Sequence, residues 1–162
     1  MVLILRNLFN YKKAAFSGIG FIAAIFIFGI ALFITMEYYH IFTVKESVET
    51  DISRALNISV TMAVQDMDWV QHNSVMDTQK AQREFKTYLT EDMKLNNDYE
   101  KYADDGSFQY QIIIDKSDIQ KSPAKYSIDG RIRMQPVTVR SILPKTFDIP
   151  FKLSSNNIRT DD

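Results

Sequence analysis

The residues of this chain best spaced for chemistry are Asp66, Asp68 and His72. Asp68 and His72 stand four apart, which on a helix puts a carboxylate and an imidazole on one face, in reach of a shared metal ion. A metal centre needs more donors than that, and no second imidazole or carboxylate pair is spaced to complete it. The trio is therefore read as a solvated face near a helix end, with His72 complementing the helix dipole, and no metal ligand is expected. For hydrolysis, the two histidines of the chain are His40 and His72, and no G-x-S-x-G nucleophile elbow occurs. The absence of cysteine excludes a thiol nucleophile, a thioredoxin-type motif and cysteine-ligated zinc. Only Gly106 and Gly130 lie beyond position 36, which leaves no glycine-rich phosphate loop. No catalytic residue and no cofactor is expected, and the chain reads as a non-enzymatic protein.

The strongest signal is physical rather than catalytic. From Ala14 to Met36 the chain runs 23 residues without a charge. As a helix at roughly 1.5 Å per residue this is about 34 Å, enough to cross a hydrocarbon core of about 30 Å with a modest tilt. A cleaved secretory signal would have a shorter apolar core and small residues at a cleavage site. Thr35-Met36-Glu37-Tyr38-Tyr39 offers no such site, so an uncleaved, single-pass signal anchor is expected. Arg6, Lys12 and Lys13 precede the run and Glu37 follows it, which puts the N-terminus in the cytoplasm and residues 37–162 outside the plasma membrane. Tyr38 and Tyr39 suit the outer interface, where aromatic rings lie in lipid and their hydroxyls in water.

Within the span, Ser17, Gly20, Ala24 and Ala31 recur at 3, 4 and 7 residues, setting small side chains along one side with Gly20-x-x-x-Ala24 as nucleus. That pattern fits close approach of another helix, from a second copy or a different protein. It equally fits the ordinary abundance of Gly and Ala in membrane helices.

Beyond position 36 lie 16 basic and all 20 acidic residues, a net charge of −4, which argues against nucleic acid as a partner. A domain of that length can bury a sizeable core without disulfides. Between Glu37 and Asp105 there is neither Gly nor Pro, while Pro123, Pro136, Pro144 and Pro150 fall in the last 40 residues. Helices first and strands second are expected. Ile41, Val44, Val48, Ile52, Ala55, Leu56, Ser59, Met62, Ala63 and Val70 mark one helical face over about 41–72, collinear with the membrane span from Ala14. Met62 is read as core, and Trp69 fits either core or a partner surface. Asn57-Ile58-Ser59 has the glycosylation pattern but falls inside this helix and is taken as chance.

Asn73-Ser74 breaks the pattern, and Asp77 is a good N-cap for a second helix over about 78–95, with Ala81, Phe85, Tyr88, Leu89 and Met93 as its apolar stripe. The short link favours antiparallel packing on the first helix. Gln109–Asp115 and Tyr126–Met134 read as strands, the second running unbroken through Asp129-Gly130. Val137–Ile142 adds a short strand, and Phe147, Ile149, Phe151 and Leu153 alternate in a last strand that Pro150 confines to an edge or a bulge. The expected fold is α+β: a long N-terminal helix that spans the membrane and continues outward, a second antiparallel helix, and a small C-terminal antiparallel sheet packed on both. The expected organisation is a cytoplasmic leader (1–13), a transmembrane helix (14–36) and an extracytoplasmic domain (37–162).

This layout resembles that of type IV pilins and of TadE-like minor pilins of Tad-type systems in Gram-positive bacteria. The segments Ser53-Arg54-Ala55-Leu56-Asn57, Met62-Ala63-Val64-Gln65-Asp66, Phe85 through Met93 and Ile149-Pro150-Phe151-Lys152-Leu153-Ser154-Ser155 carry the resemblance. It implies a pilin-like partner set: the bilayer, other membrane-anchored assembly subunits, and further copies of the chain. Such pilins carry a glutamate five residues into the mature helix, and here none precedes Glu37. The resemblance thus implies an accessory or minor component that stays anchored, rather than a processed major subunit. Two alternatives share the same features: an anchored ligand-binding or regulatory module, and a conjugation or secretion accessory protein.

Overall fold

A computed structural model describes residues 2–64, 75–136 and 146–155, with side chains from residue 18 onward. Helix α1 (Val2–Ala63) spans 62 residues. The chain divides into two units, Met1–His40 and Ile41–Asp162. The second unit holds the outer part of α1, helix α2 (Thr78–Thr87), and strands β1 (Glu100–Tyr102), β2 (Phe108–Gln120), β3 (Lys125–Met134) and β4 (Phe147–Ser154). The strands form one antiparallel sheet in the order β1-β2-β3-β4. The α+β class, the long helix and the helix-packed sheet are as expected.

Helix α1 starts at Val2 rather than near Ala14 and ends at Ala63; the expected helical end near His72 lies outside the described residues. At its end Val64 forms an antiparallel bridge with Met76, and the Asp77 N–H donates to the Ala63 carbonyl at 3.0 Å. Capture of these groups by the returning chain ends the helix where pattern alone would continue it. Val70, Asn73 and Ser74 lie outside the described residues, as does the predicted strand Val137–Ile142.

Asp77 caps α2 as its position predicts, its carboxylate accepting the N–H groups of Gln79 and Lys80 at 2.9 and 3.0 Å. Beyond Thr87 the helix widens into a π-helical turn, Tyr88–Asp92. Lys94 then adopts a left-handed conformation (φ 55°), and the Leu95 N–H returns to the Leu89 carbonyl at 3.2 Å. This reversal buries Leu95.

The core is one cluster. Val48, Ile52, Ala55, Leu56, Val60 and Ala63 of α1 meet Ala81, Phe85 and Leu89 from the second helical segment and Ile112, Tyr126, Ile128, Ile132, Met134 and Phe151 of the sheet. Phe85 and Tyr126 pack ring to ring at 5.2 Å. Met62 is a correction: it is exposed (55%), and Val60 is buried in its stead. At about 100° per residue both lie roughly 80° from Ile52, on opposite borders of the stripe, and the core covers the Val60 border alone.

Strand β3 alternates without a break, with Tyr126, Ile128, Gly130, Ile132 and Met134 turned inward. β2 runs 13 residues and pairs with β3 from Tyr110 to Gln120, its register shifting at a bulge between Ile114 and Lys116 that changes the side-chain parity between Ile112 and Ile119. Next to this bulge Gly130 passes so close to the sheet that a Cβ would collide with the Ile113 carbonyl and lie 2.8 Å from the Phe151 ring. The predicted strand at Gln109–Asp115 is thus longer than expected, and β1 was not anticipated.

Candidate functional site

The first unit presents the surface most in need of an apolar environment. Along α1, Ile19, Phe21, Ile22, Ile25, Phe26, Ile27, Phe28, Ile30 and Leu32 through Ile34 include large apolar side chains that are all at least two-fifths exposed. The helix is long and apolar enough to cross a membrane, and within its most apolar stretch no share is buried in the protein. In hydrocarbon an α-helix satisfies its own backbone. The one hydroxyl between Gly18 and Met36, that of Thr35, is satisfied internally as well, donating to the Ala31 carbonyl at 2.8 Å.

Gly20, Ala24 and Ala31 lie exposed on this helix, and nothing stands within 4 Å of a Cβ built at Gly20. The backbone of Arg6, Lys12, Lys13 and Ser17 belongs to α1, and their side chains lie outside the description. Tyr38 and Tyr39 are exposed (each 70%), whereas Glu37 beside them is buried (8%), which no feature of the sequence signals. A concavity on this helix escaped the sequence reading. Ile25, Phe26, Gly29, Ile30 and Phe33 line an open groove of about 380 Å³. Nine residues at about 100° each set Gly29 on the face opposite Gly20, so the helix has a notch on one side and a small-residue stripe on the other.

In the second unit a charged cluster lies on the outer face of the sheet. Arg131 of β3 donates to both oxygens of Asp115 at 2.9 Å and to Asp148 at 3.3 Å, while Arg133 donates to Asp148 at 2.8 and 3.0 Å. Lys152 reaches Asp129 at 3.3 Å. Hydrogen bonds from Arg131 and Arg133 hold the Asp115 and Asp148 carboxyls below their usual range. These groups neutralise one another across three strands, and being exposed they contribute little to stability. Burial pushes the Tyr110 hydroxyl up to about 12, which keeps it neutral.

Among the described residues no group of three His, Asp or Glu side chains is placed to hold a metal ion. Asp66, Asp68, Trp69 and His72 lie outside them. The sequence reading expects no S-x-x-K element of a penicillin-binding type, yet Ser122-Pro123-Ala124-Lys125 has that spacing. That spacing brings hydroxyl and amine together on a helix; here it forms the turn between β2 and β3. Ser59, the third residue of the glycosylation pattern, is buried and donates to the Leu56 carbonyl at 2.9 Å. No family model matches the chain, and neither a curated protein nor a solved structure matches it.

Proposed function

We propose that this protein is a non-enzymatic, single-pass component of a cell-surface pilus or secretion assembly, similar in role to a TadE-like minor pilin. Residues 14–36 anchor it in the plasma membrane with the N-terminus inside, as Arg6, Lys12 and Lys13 require under the positive-inside rule. The α+β unit stands on the outer side. The observation that carries this reading is that one helix supplies both an exposed apolar surface over residues 18–36 and the core stripe from Val48 to Ala63. A helix of that kind serves membrane and domain together, and its work is association.

Within the bilayer the small side chains at Ser17, Gly20, Ala24 and Ala31 allow a partner helix close approach, and the Gly29 notch offers a second packing face. Photoreactive residues at Gly20 and Met62, crosslinked in the native cells and followed by mass spectrometry, test the proposal. Capture of pilin-like subunits or of an assembly-platform membrane protein is expected. Capture of a wall ligand, or of this chain alone, would overturn it.

A further inference from the structure

The free edge of β4 carries a pattern independent of the membrane helix and of the assembly reading. β4 ends the sheet, and among the described residues no strand pairs with its outer side. Which of its backbone groups face outward follows from two bonds. The Ser155 N–H donates to the Tyr126 carbonyl at 2.8 Å, which makes Tyr126 and Ser155 a hydrogen-bonded pair. Bonded pairs alternate in an antiparallel ladder, so Phe147, Ile149, Phe151 and Leu153 bond to β3. Asp148, Pro150, Lys152 and Ser154 then turn their N–H and C=O groups outward. The Ile112 N–H, donated to Tyr99 on the far side of β2, fits the same alternation.

A second copy meeting this edge across a two-fold axis at residue 150 would place Asp148 opposite Lys152 twice, Ile149 opposite Phe151 twice, and Phe147 opposite Leu153 twice. Every pair but the central one is complementary, by charge on the outer face and by apolar contact on the inner face. Phe147 is 42% exposed and would be covered. Moving the axis by one residue sets Lys152 or Asp148 against Pro150 and loses both ion pairs. At the axis itself stands proline, which has no N–H. Both central hydrogen bonds are missing, and two ring methylenes meet where the donors would be.

We infer that β4 is a self-complementary edge strand and that Pro150, at its dyad, keeps two copies of this chain from joining their sheets. Among the described residues this edge stays unpaired, a common need of exposed strands.

The test compares wild type with Pro150→Thr, both as full chains in detergent, by sedimentation equilibrium. Restoring two hydrogen bonds at the axis raises the dimer association constant at least about tenfold. Adding Lys152→Asp to Pro150→Thr reverses the gain, since each ion pair becomes a carboxylate pair. The chain has no cysteine, so Pro150→Cys reports the register directly: it forms a disulfide dimer under mild oxidant, and Asp118→Cys on β2 does not. Equal association of wild type and Pro150→Thr, or a Lys152→Asp double variant as dimeric as the single one, would overturn the inference. So would loss of the folded circular dichroism signal in both Pro150 variants, which would make the proline a folding residue rather than a guard.

Discussion

Single residues set the local geometry at several places, each with a measurable consequence. Gly130 is required by contact, because a Cβ would strike the Ile113 carbonyl and the Phe151 ring. Gly130→Ala should destabilise the fold by about 1–3 kcal/mol, as overpacking does, read by urea unfolding; an unchanged midpoint would mean the strands spread at no cost. Lys94 is the opposite case, an exposed lysine held in the left-handed region at φ 55°. Lys94→Gly should stabilise by about 0.5–1 kcal/mol, seen as a higher urea midpoint. Asp77, Asp115 and Asp148 are all held below their usual pKa, Asp77 by the Lys80 backbone N–H and the other two by arginine hydrogen bonds. A depressed carboxyl stabilises the fold above its unfolded pKa and ceases to do so as pH falls through the folded value. The melting temperature should therefore drop, by a small amount because these groups are exposed, as pH falls below about 4, with a slightly shallower drop in Asp148→Asn. A melting temperature level from pH 5 to pH 2.5 would contradict this.

At the scale of elements, the apolar stripe of α1 sorts its own substitutions. Ile52→Ala removes a fully buried side chain and should cost about 2–5 kcal/mol, whereas Met62→Gln should stay within about 0.5 kcal/mol; equal costs would mean the stripe is misplaced. The sequence reveals such a face but not its borders, since Val60 and Met62 sit symmetrically about it and only the placement of the sheet chooses between them. Elements driven by their own side chains are legible: Asp77 caps α2 through its carboxylate, and β3 declares itself by period-two alternation. Elements fixed by distant partners are not. β1 is three residues, Glu-Lys-Tyr, ordered by pairing with β2. β2 outruns its expected end because a bulge flips the parity that alternation depends on. The Gly29 notch was missed because spacing marks small residues, whereas a groove also needs Phe26 and Phe33 as its walls.

The whole molecule is organised by α1, whose composition changes along its length. From Gly18 to Met36 its large apolar side chains face outward, and from Val48 to Ala63 the stripe turns into a packed core with α2 and the sheet. The first stretch is long and apolar enough to cross a membrane, and the proposed direction rests on one charge pattern, Arg6, Lys12 and Lys13 before it. The most direct measurement is labelling of single-cysteine variants in intact cells with a membrane-impermeant maleimide, with cysteine introduced at Asp105 in one variant and at Asn10 in the other. Labelling of the Asp105→Cys chain in intact cells, and of Asn10→Cys only after lysis, with both chains in the membrane fraction, is the expected result. Labelling of Asn10→Cys from outside, or recovery of the chain in the soluble fraction, would contradict the anchored, outward-facing arrangement.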